Sequence, residues 1–145
     1  MITAWHIFAV STLITAFCFV LLYAYWSIFP LKPIIEVPNN HLHVKNKVVH
    51  EGEALILQYH ACKNVAVSGT VTRYLQDRQV VFLPSVESNQ PVGCRDYEVP
   101  IELPHDLPTD TYKFISTITY KINPIRTETY RFTSDEFQLI NAKDD

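Results

Sequence analysis

From residue 1 to residue 31 the chain carries no Lys, Arg, Asp or Glu, and between Trp5 and Phe29 it is almost wholly apolar. A bilayer core takes about 20 such residues as a helix. Beyond residue 31 the period changes. Apolar and polar side chains alternate, which predicts half-buried strands rather than a second helix. Over 54–61, Leu55, Leu57 and Tyr59 fall on one face, with Gln58 and His60 on the other. Over 65–75, Val65, Val67, Val71 and Leu75 oppose Ser68, Thr70 and Thr72. Over 112–122, Tyr112, Phe114, Ile118, Tyr120 and Ile122 alternate with Lys113, Thr117, Thr119 and Lys121. Shorter stretches over 41–49, 79–83, 94–103, 125–132 and 137–140 follow the same pattern. Asn123-Pro124 predicts a turn, Ser134-Asp135 a bulge and 84–93 a loop. Pro100 places its strand at an edge or bulge. About seven strands with no helical period predict an all-β fold. The expected form is an immunoglobulin-like antiparallel β-sandwich preceded by one N-terminal transmembrane α-helix.

The pattern divides the chain into a transmembrane anchor (1–31), a Pro-rich stem (32–40), the sandwich (41–141) and a frayed acidic tail (142–145). Trp5 marks one membrane interface, and Tyr23, Tyr25, Trp26 and Phe29 crowd the other, as an aromatic belt does. Pro30 and Pro33 end the helix. The segment lacks a basic start and a small-x-small cleavage site, so it reads as an uncleaved anchor rather than a signal peptide. Two signals disagree about orientation. Lys32, Lys45 and Lys47 follow the span, and the positive-inside rule would keep them in the cytoplasm. Cys62 and Cys94 lie near strand ends beside a membrane, which predicts a disulfide and an oxidising compartment. Long domains translocate largely regardless of charge, so the domain is expected outside. Cys18, inside the apolar run, reads as a small apolar side chain.

Charge and composition remove some function classes. There are 12 basic and 15 acidic residues, and the basic ones do not cluster, so a nucleic-acid footprint is missing. With no Gly-x-Ser-x-Gly and no phosphate-binding Gly loop, an enzyme is not expected, and neither a catalytic residue nor a cofactor is named. His41-x-His43 and His60-x-Cys62 each put two possible ligands on one strand face. His41, His43 and His60 make an alternative copper or zinc set. Solvated strand histidines are the plainer account, and no metal is expected. Leu107-Pro108-x-x-x-Tyr112 predicts a tyrosine corner at Tyr112, whose hydroxyl would bond back to nearby backbone. Tyr74, Tyr97, Arg126 and Tyr130 are candidate contacts for a protein partner of unknown identity, together with 84–93 and the turn 121–126.

Four pieces form a recognisable set. They are Trp26-x-x-Phe29-Pro30-x-Lys32-Pro33, the strand ending Tyr59-x-x-Cys62-Lys63, Gly93-Cys94, and Leu107-Pro108-x-x-x-Tyr112 through Tyr120-x-x-Asn123-Pro124-x-Arg126. The set resembles small single-span, Ig-like membrane proteins encoded by tailed bacteriophages, most of which lack an assigned function. The resemblance implies a bacterial inner-membrane anchor with the C-terminal domain in the periplasm, or a place in the virion. It brings no catalytic residues. The expected function is a membrane-anchored binding module, held to the bilayer by one helix, acting in the host envelope or in a membrane-associated complex. A periplasmic copper- or zinc-binding domain and an envelope or lysis linker are the alternatives.

Overall fold

The computed structural model describes residues 2–141, so the expected tail at 142–145 lies outside the described residues. One helix, α1 (Ile2–Ile28), precedes nine strands among the described residues. These are β1 (Ile35–Glu36), β2 (His41–Val44), β3 (Val48–His50), β4 (Ala54–Lys63), β5 (Gly69–Gln76), β6 (Val80–Ser88), β7 (Gly93–Glu102), β8 (Asp110–Asn123) and β9 (Arg126–Ile140).

α1 has 27 residues, about 40 Å at 1.5 Å per residue, and is long and apolar enough to cross a membrane. Three of its hydroxyls bond back within the helix. Thr12, Thr15 and Ser27 each donate to the carbonyl four residues back, at 2.9, 2.9 and 2.8 Å.

The strands form a mixed sheet with the hydrogen-bonded path β1-β4-β2-β9-β8-β5-β6, with β7 added to β4 and β3 to β9. Most pairings are antiparallel, but β2 and β3 run parallel to β9. β2 is where the path divides. His41 and Leu42 pair with β9, while His43 and Val44 pair with β4. The apolar faces on either side of that strand close on one core. Leu55, Leu57 and Ile101 come from one side, and Val71, Phe114, Ile118 and Phe132 from the other. The alternation seen in the sequence is the cause, because residues two apart on a strand share a face.

The mostly-β composition and the single N-terminal apolar helix follow the sequence pattern. The strand count differs, at nine rather than about seven, for local reasons. The expected strand 41–49 breaks at Asn46. Its amide donates to the Ala54 carbonyl at 3.0 Å and accepts from Ile56 N–H at 2.8 Å, occupying β4 ladder groups. The chain then returns to β9 and pairs farther along it as β3. The expected loop 84–93 is strand through Ser88. Pro84 sits in a bulge, since the two-residue step Val71 to Arg73 faces the three-residue step Val86 to Leu83. β6 lies at the end of the path, where a proline costs no ladder bond. Over 65–75 only Gly69 onward is strand; Val65 and Val67 pack against the core without a ladder.

The stem boundary also moves. Ile34, Ile35 and Val37 are buried, and β1 pairs with the end of β4. The β domain therefore begins at Ile34 rather than His41. Prolines at 33 and 38 kept the segment extended, but extended chain is also what adds a strand to a sheet edge.

The bulge at Ser134-Asp135 is present. Lys113 faces Glu136 while Ile115 faces Thr133, so β9 holds one extra residue there. The buried positions change phase across it, from Phe132 and Ser134 to Phe137 and Leu139. Cys62 and Cys94 are disulfide-bonded and lie directly opposite in the β4–β7 register. The Tyr112 hydroxyl donates to the Pro108 carbonyl at 3.0 Å, the contact that a tyrosine corner requires.

Candidate functional site

Two of the sequence candidates meet where the helix enters the domain. The β8–β9 hairpin turns at Pro124 and Ile125, with Ile125 N–H bonded to the Asn123 side chain at 3.1 Å. That turn docks on the end of α1. Asn123 Nδ2 donates to the Trp26 carbonyl at 2.9 Å, and the Arg126 guanidinium reaches the Ser27 carbonyl at 3.3 Å. The last carbonyls of a helix have no partner within it, so the hairpin supplies donors the helix lacks. A cation at this end also complements the helix dipole. Arg126 in turn pairs with Glu128, and Glu128 accepts from the Tyr130 hydroxyl. The same Tyr130 oxygen accepts from Ile34 N–H at 2.9 Å. Burial, followed by the bond to Glu128, pushes the Tyr130 phenol up to about 12. Arg126, expected at a partner surface, is thus spent on joining α1 to the domain, and Tyr130, expected there too, is spent on tying Ile34 to β9.

Tyr97 is also turned inward. It stacks on Tyr59 with ring centroids 5.3 Å apart, and both pack against the core. Only Tyr74 of that set lies on an open apolar surface. Directly opposite it on β6 is Phe82, 5.8 Å away between ring centroids. Phe82 is 70% exposed, and Val80 and Val86 on the same strand are also exposed. β6 ends the sheet path among the described residues, so one side of its backbone is unpaired. The edge strand β7 differs in kind. It carries Arg95, Asp96, Glu98 and Glu102 together with Pro100, devices that discourage strand addition. Between Val80 and Leu83 β6 has four apolar residues and no charge. Sequence reasoning missed Val80, Phe82 and Val86; Val80 to Leu83 was read as an ordinary short strand. Four apolar residues in a row read equally well as a buried strand, so no local signal marked this one as an edge.

The histidines regroup. His41 Nε2 lies 2.8 Å from Asp135 Oδ1, and His43 Nδ1 lies 3.4 Å from Asp135 Oδ2. Burial alone would raise the Asp135 pKa, but bonds from His41 and from Val44 N–H outweigh it and hold the carboxyl below its ordinary value. His60, the third member expected from sequence, is bonded to Asp96 at 2.8 Å instead. It lies beside Cys62 and Cys94, whose sulfurs are joined to each other and so are not thiolate ligands.

Between the two halves of the sheet lies a cavity of about 240 Å³, walled by Leu57, Val71, Ile101 and Phe114 and touching Ser88 and Gln90. That is below the usual range of small-molecule pockets, roughly 300–1,000 Å³.

No family model matches the chain, and no curated protein matches it. Solved structures do align with it. A Porphyromonas gingivalis W83 protein of unknown function has a TM-score of 0.44 at 9% identity, covering 76% of this chain and 49% of that one. A Pseudomonas fluorescens alkylpurine DNA glycosylase, bound to DNA containing an abasic site analogue, has a TM-score of 0.38 at 13% identity, covering 75% and 31%. A Listeria innocua β-glucosidase mutant has a TM-score of 0.30 at 8% identity, covering 71% and 16%. This chain thus spans half or less of each of these structures, and at such scores none of them bears on its function.

Proposed function

We propose that this chain is a membrane-anchored, immunoglobulin-like binding module that engages a protein partner through the β6 edge. The observation that carries the reading is the uncharged run at 80–83 on an edge strand, with Phe82 exposed beside Tyr74. An unpaired edge offers backbone bonds, and alternate side chains on it offer selectivity. Apolar surface of this kind is uncommon on a lone soluble domain. Three features support the immunoglobulin-like assignment: two apolar sheet faces on one core, early strands parallel to the last strand, and the Tyr112 contact. The disulfide differs from the inter-sheet bridge of antibody domains, because it joins neighbouring strands.

The disulfide supports an outward-facing domain, since such bonds persist in oxidising compartments. With the resemblance to phage-encoded single-span proteins, the proposed place is the bacterial inner membrane with the domain in the periplasm. Tethering confines the domain to a thin layer and raises its effective concentration for neighbours there.

The test is site-specific photo-crosslinking in membranes of expressing cells. A crosslinker in place of Phe82 is expected to give a discrete adduct, and one in place of Glu102 on β7 is expected to give none. Equal labelling at both positions, or none at either, rejects the edge. An alkaline phosphatase fusion after Asp145 is expected to be active; an inactive one reverses the orientation.

A further inference from the structure

We propose that His41, His43 and Asp135 form a binding site for a divalent transition-metal ion of the zinc and copper class. The inference is independent of the β6 surface and starts from the backbone. His41 and His43 are two apart on β2, so both rings project to one face. Their ring centroids lie 5.0 Å apart. Asp135 reaches them from β9 because it sits in the bulge, where the extra residue re-aims a side chain out of the strand's regular alternation. Its neighbour Ser134 is held the other way, accepting from the buried Phe114 N–H at 2.9 Å. The bulge thus splits two adjacent residues between the core and the histidines.

One donor atom from each of the three residues lies within 4.8 Å of the other two. A tetrahedral zinc ion with bonds of about 2.0–2.1 Å to nitrogen and oxygen needs its donors roughly 3.4 Å apart. His43 Nδ1 already lies 3.4 Å from Asp135 Oδ2. His41 Nε2 lies 2.8 Å from the other oxygen of that carboxylate, Oδ1, where the metal would replace the proton between them and open that contact slightly. The carboxylate is also fixed by Val44 N–H at 3.3 Å, an outer bond of the kind that orients metal ligands. Two imidazoles and one carboxylate suit zinc or copper, and hard cations that prefer all-oxygen sets suit the site poorly. Three protein ligands leave a coordination position open on the solvent side, where the His43 side chain is 72% exposed.

The experiment uses the full chain in nanodiscs, purified without a polyhistidine tag, titrated calorimetrically with ZnCl₂ and with CuSO₄. Saturable one-to-one binding of both ions is expected, with copper tighter and with no response to MgCl₂. The His43→Ala and Asp135→Asn variants are each expected to weaken binding at least tenfold, while His60→Ala leaves it unchanged. Copper EPR is expected to report two coordinated nitrogens in the parent and one in His43→Ala. Absent binding in the parent overturns the site, as does binding that survives in His43→Ala or disappears in His60→Ala. Circular dichroism and melting of each variant separate loss of a ligand from loss of fold.

Discussion

At the residue scale, Tyr130 shows how one side chain comes to hold two segments. Its hydroxyl accepts from the fully buried Ile34 and donates to Glu128. Tyr130→Phe leaves the Ile34 N–H without that partner, which costs about 1–3 kcal/mol. Urea denaturation at pH 8 is expected to show that loss. The phenol also has a pH signature. Its folded pKa, about 12, lies above the ordinary 10.0. Its stabilising contribution is therefore complete below pH 10 and lost as pH rises from 10 through about 12. Tyr130→Phe is expected to make that alkaline decline shallower; an unchanged slope would place the phenol's partners elsewhere. Gly69 depends on space instead. A Cβ there would lie 2.6 Å from the Tyr120 ring, which is itself fully buried. Gly69→Ala is expected to destabilise by about 1–3 kcal/mol, as overpacking does, measured by thermal and urea melts.

At the element scale, the β4–β7 pair and the first residues of the domain carry separable predictions. The disulfide closes a loop between residues 32 apart in sequence. On the chain-entropy model that stabilises by about 3–4 kcal/mol. Cys62→Ser is expected to be less stable than the parent by that amount in urea denaturation, and added reductant should lower the parent to match it. The N-terminal edge is tested by truncation. A chain beginning at Pro33 keeps Ile34, Ile35 and Val37, all buried, whereas a chain beginning at His41 lacks them. Burying each such side chain contributes about 1.5–3 kcal/mol. The shorter chain is expected to be less stable by about 4 kcal/mol or more. Equal stability of the two would return residues 34–40 to the status of a stem. The signal for β1 was weak in the sequence because two paired residues are too few to show a period, and the prolines around them describe extended chain equally well inside or outside a sheet.

At the scale of the whole molecule, the apolar helix and the β domain are joined by the β8–β9 turn, which donates to the carbonyls at the end of α1. The two parts differ in what the chain alone could specify. A charge-free run of helical length, strand alternation, turn chemistry at Asn123-Pro124, the bulge at Ser134-Asp135 and the Tyr112 position are local properties. Each follows from side-chain spacing or backbone preference within a few residues, so each was legible in order along the sequence. Partnership is not local. That Arg126 faces α1, that Tyr130 holds Ile34, that Asp135 rather than His60 joins His41 and His43, and that Phe82 stays in solvent depend on which strands become neighbours. Strand order is settled by gathering the core-facing side chains of the strands together, with β2 shared between β4 and β9. Alternation tells each strand which face to bury but not against what. The sequence by itself determined a membrane-length helix followed by a β domain, and the tertiary structure alone decided which of its aromatic and charged side chains remain free to meet another molecule.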